Sequence, residues 1–288
     1  MGSNPSKAKR PTPTTETDTT HPRIPQDIVD EILNHLATDS DFDTLRSCAL
    51  VSKSWVQSCR RYLFHTAVFT PRDMYKWLKR FPVPEESPAR LVRDLSFQVG
   101  VLSSRRSTRA RDAVPRRFFE YTPSFTNVKR VALLGPGGFQ LSRMPSSWRL
   151  PQSATSLIVG TKTFTLAEIW DVLSQLPNLD DLSLSGYLEA GSVRRGVGSA
   201  LRGRFGGRLR LLDGSANVDV MEMLLEIPSG LHFTHVEIRC RRTRLLSTVR
   251  LVEACSETLV RFSYTVNFHG QSTSFSFSWS SRFRLCSH

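Results

Sequence analysis

The stretch Ile24 to Phe64, IPQDIVDEILNHLATDSDFDTLRSCALVSKSWVQSCRRYLF, carries more apolar surface than so short a helical segment can bury by itself. Ile28, Val29, Ile32, Leu33 and Leu36 recur at three- and four-residue steps, which predicts an amphipathic helix with Pro25 in its first turn. After the acidic turn ATDSDFD, the residues Leu45, Cys48, Ala49, Leu50 and Val51 lead into Ser52, an N-cap residue. Trp55, Val56 and Cys59 then follow at helical spacing. Surplus apolar surface on a small helical unit belongs to a partner or to the domain behind it.

In its ordered combination this stretch closely resembles the F-box. F-box sequences open on a leucine-proline pair, continue with a helix rich in isoleucine and leucine, and reach a Val-Cys/Ser-Lys/Arg-x-Trp core. That core reads here Val51-Ser52-Lys53-Ser54-Trp55, while the opening pair is Ile24-Pro25. The ending, Arg60 to Phe64, is similar to the form common in large fungal F-box families. The resemblance implies a substrate-recognition adaptor that docks on the Skp adaptor of an SCF-type cullin-RING ubiquitin ligase. Helices laid against an apolar groove would then bind through Ile24, Pro25, Ile28, Leu33, Leu36, Leu45, Val51 and Trp55. Some of these, and Ile32 above all, are alternatively residues that hold the three helices together.

A chain of 288 residues with 39% hydrophobic and 23% charged residues reads as globular, one small domain beside a larger one. No apolar run reaches membrane-spanning length and no secretory signal opens the chain, so an intracellular location, cytoplasmic or nuclear, is expected. The five cysteines, Cys48, Cys59, Cys240, Cys255 and Cys286, are odd in number and form no CxxC pair, which argues against a disulfide framework or a zinc site. The net charge is +13, yet Ile24 to Phe64 holds four Lys/Arg against six Asp/Glu. The excess concentrates in Arg105 to Arg117, Arg194 to Arg210 and Arg239 to Arg250, a bias that suits nucleic acid, an anionic membrane surface or an acidic protein.

Residues 1–22 are rich in Ser, Thr, Pro and Lys and are expected to be disordered. They contain a myristoylation pattern at Gly2 and a basic run from Lys7 to Arg10 that reads as a membrane or nuclear address. Past the F-box-like region at 23–66, Thr70 caps a helix with Pro71 at its first position, whose face carries Met74, Trp77, Leu78 and Phe81.

The spacing L-x-x-L-x-L, with any apolar residue allowed, then recurs. It appears at Val92/Leu95/Phe97, Val128/Val131/Leu133, Ala154/Leu157/Val159 and Leu179/Leu182/Leu184. It continues at Leu209/Leu212 with Gly214 in the last place, Phe233/Val236/Ile238 and Leu259/Phe262/Tyr264. The central positions lie 36, 26, 25, 30, 24 and 26 residues apart, near the leucine-rich-repeat period. Helices are predicted between the strands, from the capping box Thr165-x-x-Glu168, from Asp219 and Glu222, and over Leu245 to Cys255.

The asparagine that leucine-rich repeats place after the last apolar position occurs only as Asn217 and Asn267, so the repeats are irregular. They resemble the degenerate repeats of many F-box proteins. The fold expected is therefore α/β, α+β overall: a three-helix F-box, then an irregular leucine-rich-repeat-like solenoid over 67–268. A single α/β layer with a mostly parallel sheet is the alternative. Phe262 to Phe268 and Phe275 to Trp279 alternate around His269 to Ser272, which predicts a C-terminal hairpin, or a disordered tail, over 269–288. The arginine-rich segments in the two long spacings are expected to be projecting loops.

Chemistry is sparse. Gly135-Pro136-Gly137-Gly138 lacks the Gly-Lys-Ser/Thr of a phosphate loop and reads as a turn. His232 and His235 lack a second ligand pair and are expected to flank and occupy a strand, and Asp180-Asp181 reads as a polar turn. No catalytic, metal or cofactor site is expected. Outward residues of the repeat phase form the candidate capture surface for a target protein: Asp94, Ser96, Gln98, Arg130, Asp181, Ser183, Ser185, Asp213, His235, Glu237, Arg239, Arg261 and Ser263. Their mixed charge argues against a simple polyanion groove, so nucleic acid is not expected as a partner. The rival function is a basic scaffold that binds RNA or an anionic membrane independently of ubiquitination.

Overall fold

The computed structural model describes residues 24–98, 117–135, 148–188, 204–212, 218–240, 245–268 and 271–278. The N-terminal tail with Gly2, the residues Pro136 to Gly138, Asp213, Cys286, and the greater part of Arg105 to Arg117 lie outside the described residues, as do Arg194 to Gly203 and Arg241 to Arg244.

Three helices open the described chain: α1 (Gln26–Thr38), α2 (Phe42–Val51) and α3 (Lys53–Leu63). Pro25 is the residue before the first helical position, where its missing N–H costs nothing. Helix α2 begins inside the acidic turn, because the Asp41 side chain accepts a hydrogen bond from Thr44 N and supplies a start signal. That bonding with Thr44, through its hydroxyl first and its backbone second, holds the Asp41 carboxyl below its usual range. Ser52 caps α3 by accepting from Ser54 N.

The rest of the described chain builds one open sheet in which nine strands lie in sequence order. They are β1 (Thr66–Phe69), β2 (Asp94–Gln98), β3 (Arg130–Gly135), β4 (Ser156–Phe164), β5 (Asn178–Leu188), β6 (Arg204–Leu212), β7 (Leu231–Cys240), β8 (Arg261–Phe268) and β9 (Gln271–Ser278). Pairs from β1 through β8 are parallel, and β9 turns back antiparallel on β8. A right-handed crossover that always advances to the next strand must pass over the same side of the sheet each time. Buried and more open residues alternate along the described strands, so one face of the sheet packs against the described connections and the other is left more open.

Among the described residues α-helices run in five of these connections: α4 (Pro71–Arg80), a helical stretch over 117–121, α5 (Leu166–Leu173), α6 (Val218–Leu225) and α7 (Leu245–Ala254). Both α4 and α5 start on a complete capping box, Thr70 with Asp73 and Thr165 with Glu168, in which side chains satisfy backbone donors the helix cannot. The described part of the connection before β4, residues 148–155, contains no helix.

Two apolar rows hold the sheet to the connections. Leu95, Val131, Leu157, Leu182, Leu209 and Val236 are register partners across six strands, and all are buried. Phe97, Leu133, Val159, Leu184, Leu211 and Ile238 form the second such row. Each fully buried side chain of this size contributes about 2 kcal/mol of transfer free energy. Near β1 the core becomes aromatic, with Phe69 set 4.6 Å from Phe118 and 5.2 Å from Trp77 between ring centroids.

The expected Leu209/Leu212 phase is corrected by the register. Leu209, and not Leu212, pairs with Leu182 and Val236. The cause is a bulge: β5 and β6 shift register between Leu179 and Asp181, and Gly207 takes φ of +67° there. The extra residue stretches the apolar spacing to Phe205, Leu209 and Leu211, so a fixed template slips. Arg204 to Arg210 is part of this strand and not of a projecting loop. Asp180 and Asp181 likewise sit inside β5, and His232 and His235 both lie in β7.

A strand was also hidden in plain apolar spacing. Phe64, Ala67 and Phe69 repeat the same three-then-two step, and Ala67 pairs with Leu95 as the first member of the inner row.

Candidate docking surfaces

Four residues form the centre of the helical unit. Val29 and Leu33 from α1, Leu45 from α2 and Cys59 from α3 are buried against one another, with Leu36, Ala37, Cys48, Ala49, Trp55, Tyr62 and Leu63 partly buried around them. Polar contacts fix α1 to α3: Gln26 Nε2 donates to Ser58 Oγ at 3.2 Å, and Tyr62 OH donates to Asp30 O at 3.5 Å. Hydrogen bonds from Ser58 and then Gln26 hold the Asp30 carboxyl below its usual range, with the Arg61 charge adding to them.

The candidate docking residues divide accordingly. Leu33 and Leu45 are fully buried and shape the unit without facing a partner. Leu36 and Trp55 are half-buried. Ile24, Pro25, Ile28 and Val51 are exposed, and so is Ile32, which the sequence placed among the helix-holding residues. Leu50 is 88% exposed and Phe42 is also exposed, and neither was among the docking residues expected from sequence. Helical spacing marks an apolar stripe but not the side that packs, and here α1 turns Val29 and Leu33 inward and leaves Ile28 and Ile32, four residues apart, outward together. Exposed large apolar residues at this density on one small helical unit mark a binding surface.

The solvent face of the sheet is the second surface, and the register orders it into rows. Asp94, Arg130, Ser156, Asp181, Arg208, His235 and Arg261 form the first row. Ser96, Ala132, Ile158, Ser183, Arg210, Glu237 and Ser263 follow two residues along, and then Gln98, Leu134, Gly160, Ser185, Leu212, Arg239 and Thr265. The places next to Ser185 and Glu237 in β6 belong to Leu212 and Arg210, so Asp213, outside the described residues, holds none of them.

Charges on this face are cross-linked. Glu237 lies 2.7 Å from Arg239 and 3.6 Å from Arg210, and Asp181 accepts a 3.4 Å hydrogen bond from Ser156. Asp94 lies 3.7 Å from His65. Ser183 is buried, unlike its expected outward placement suggests, while Arg130 and Arg261 are exposed. Sequence reasoning chose polar residues for this face and passed over Ala132, Leu134 and Ile158, which form a half-buried apolar window on β3 and β4. Strand phase alone identifies them, since they alternate with Val131, Leu133 and Leu157.

Nothing on either surface is arranged for a metal, as no group of three His, Cys, Asp or Glu side chains that would ligate one occurs among the described residues. Burial pushes the Cys255 thiol up to about 11, which makes it a packing residue and not a nucleophile. No helix among the described residues is long and apolar enough to cross a membrane.

Residues 22–66 match the F-box domain, a span that covers α1, α2 and α3 and ends at the first residue of β1. No curated protein matches the chain.

Proposed function

We propose that this chain is a substrate-recognition adaptor of an SCF-type cullin-RING ubiquitin ligase. Its F-box helices dock on the Skp adaptor through Ile24 and Pro25 just before the first helix, Ile28 and Ile32 of that helix, and Phe42, Leu50 and Val51 of the second. The sheet domain, which we interpret as a degenerate leucine-rich-repeat-like solenoid, holds the target protein on its solvent face. The chain itself does no covalent chemistry. Its contribution is to raise the effective concentration of the target beside the enzymes that modify it.

The observation that carries this reading is the F-box match at 22–66 over helices whose apolar residues Ile28, Ile32, Leu50 and Val51 remain exposed. Apolar anchors of this kind fill a partner's pockets at the cost of little ordering, because the helices that present them are already packed.

The variant Ile28→Asp plus Leu50→Asp tests it. Both positions are exposed, so the helices stay folded by circular dichroism, while two charges placed in an apolar interface cost roughly 4 kcal/mol or more of binding. Co-purification with the Skp adaptor is expected for the wild type and lost in the variant. An adaptor that is retained equally by both, or by neither, contradicts the reading.

A further inference from the structure

The free edge of the sheet meets the helical unit in a groove of about 760 Å³, a volume suited to several residues of a bound chain. Among the described residues β1 pairs with β2 alone. His65 O accepts from Asp94 N at 3.0 Å, so the alternation of the strand turns the N–H and C=O groups of Thr66 and Val68 away from β2. Outward backbone groups on an edge strand form a template for one more strand.

The floor of the groove is apolar and aromatic, formed by Phe69, Trp77 and Phe81. Trp77 stacks on Phe125 at 5.9 Å and packs on Phe81 at 4.9 Å between ring centroids, so these rings form one aromatic cluster under the groove. Its buried Nε1 donor has no hydrogen-bond partner among the described residues. Around the rim stand Arg46, Lys76 and Arg80. The one acid of the lining, Asp73, is engaged by the Thr70 backbone and hydroxyl in the capping box and lies 3.9 Å from Lys76, and Arg46 pairs with Asp43, so the lining sets three cations against one acid and Arg80 carries the charge these pairs leave over.

We propose that this groove is a separate peptide-docking site, in which an extended acidic segment of a partner protein adds a strand to the β1 edge. Its apolar side chains rest on Phe69, Trp77 and Phe81, and its carboxylates face Arg46, Lys76 and Arg80. Backbone pairing supplies affinity and the charged rim supplies selectivity. The chain's own first 23 residues are a poor occupant, since Lys7, Lys9, Arg10 and Arg23 outnumber Glu16 and Asp18. This site is distinct from the solvent face of the sheet and stands whether or not the chain docks on the Skp adaptor.

The test is fluorescence anisotropy of the full chain, without any ligase component, using a fluorescein-labelled nine-residue peptide that alternates glutamate with valine. Saturable binding is expected, weakened about tenfold or more by Lys76→Glu plus Arg80→Glu, whose positions are on the rim of the groove. Val68→Pro removes an outward N–H without breaking the β1–β2 ladder, and is expected to abolish binding while the thermal midpoint stays near that of wild type. A peptide with lysine in place of glutamate is expected not to bind. The proposal is overturned by no binding of the glutamate peptide up to about 1 mM, by equal binding of the lysine peptide, by unchanged affinity in the charge-reversed variant, or by displacement of the peptide with single-stranded polyuridine.

Discussion

Leu33→Asp unfolds the helical unit. Leu33 has no exposed surface and packs with Val29, Leu45 and Cys59 in a small core separate from that of the sheet. Truncating a buried leucine already costs about 2–5 kcal/mol, and an unpaired buried carboxylate adds several more, together on the order of the whole stability of a small domain. The sheet keeps its own core, so the expected result is partial: protease cleavage within residues 24–63 and loss of helical ellipticity, with the strands still protected. A variant with unchanged ellipticity and protease resistance would contradict the buried placement. Any loss of Skp binding in this variant would report unfolding, and so Ile28 and Leu50, which are exposed, are the positions that would report docking.

Gly207→Val breaks the sheet at its middle. Gly207 takes φ of +67°, a region that a β-branched residue avoids, and a Cβ there would run into the carbonyl oxygen of Asp180 on the neighbouring strand. Backbone cannot retreat as a flexible side chain can, so the expected cost is roughly 3 kcal/mol or more from strain and lost pairing combined. Gly206→Ala is the internal control. At Gly206 the nearest atom to a Cβ is His232 O at 3.3 Å, which a shift of a few tenths of an ångström relieves. Chemical denaturation of the two variants should separate them clearly. Equal stability of both would show that β6 carries no bulge.

These two sites also explain what could be read from residues alone. The inner rows of the sheet were legible because a parallel strand pairs leucine with leucine at the same phase in each unit, and the period survives wherever the register is regular. It fails at β6, where Gly206 and Gly207 admit one extra residue and move the apolar positions to Phe205, Leu209 and Leu211. β1 escaped because four residues carry too little pattern, although Phe64, Ala67 and Phe69 hold the right spacing. In the helical unit the apolar stripe was legible and its direction was not. The choice between Leu33 and Ile28 as the inward residue depends on how α1 crosses α2 and α3, which no single helix encodes.

The groove at β1 was invisible in sequence for a related reason. Its basic rim joins Arg46 of α2 to Lys76 and Arg80 of α4, residues that share no motif and meet only because α3 delivers the chain to the sheet edge after a two-residue turn at Phe64 and His65. Phe64 packs edge-on to Trp77, with ring centroids 6.4 Å apart, and so joins the helical unit to the first layer of the sheet. For an adaptor of the proposed kind, a packed link at this place would set the distance between the docked ligase and the held target.

Hydrogen–deuterium exchange of the full chain with and without the Skp adaptor tests the central claim most directly. The account predicts added protection in peptides that cover 24–36 and 42–52, with β2 through β8 unchanged. Protection confined to the strands, or no change anywhere at saturating adaptor, would contradict it.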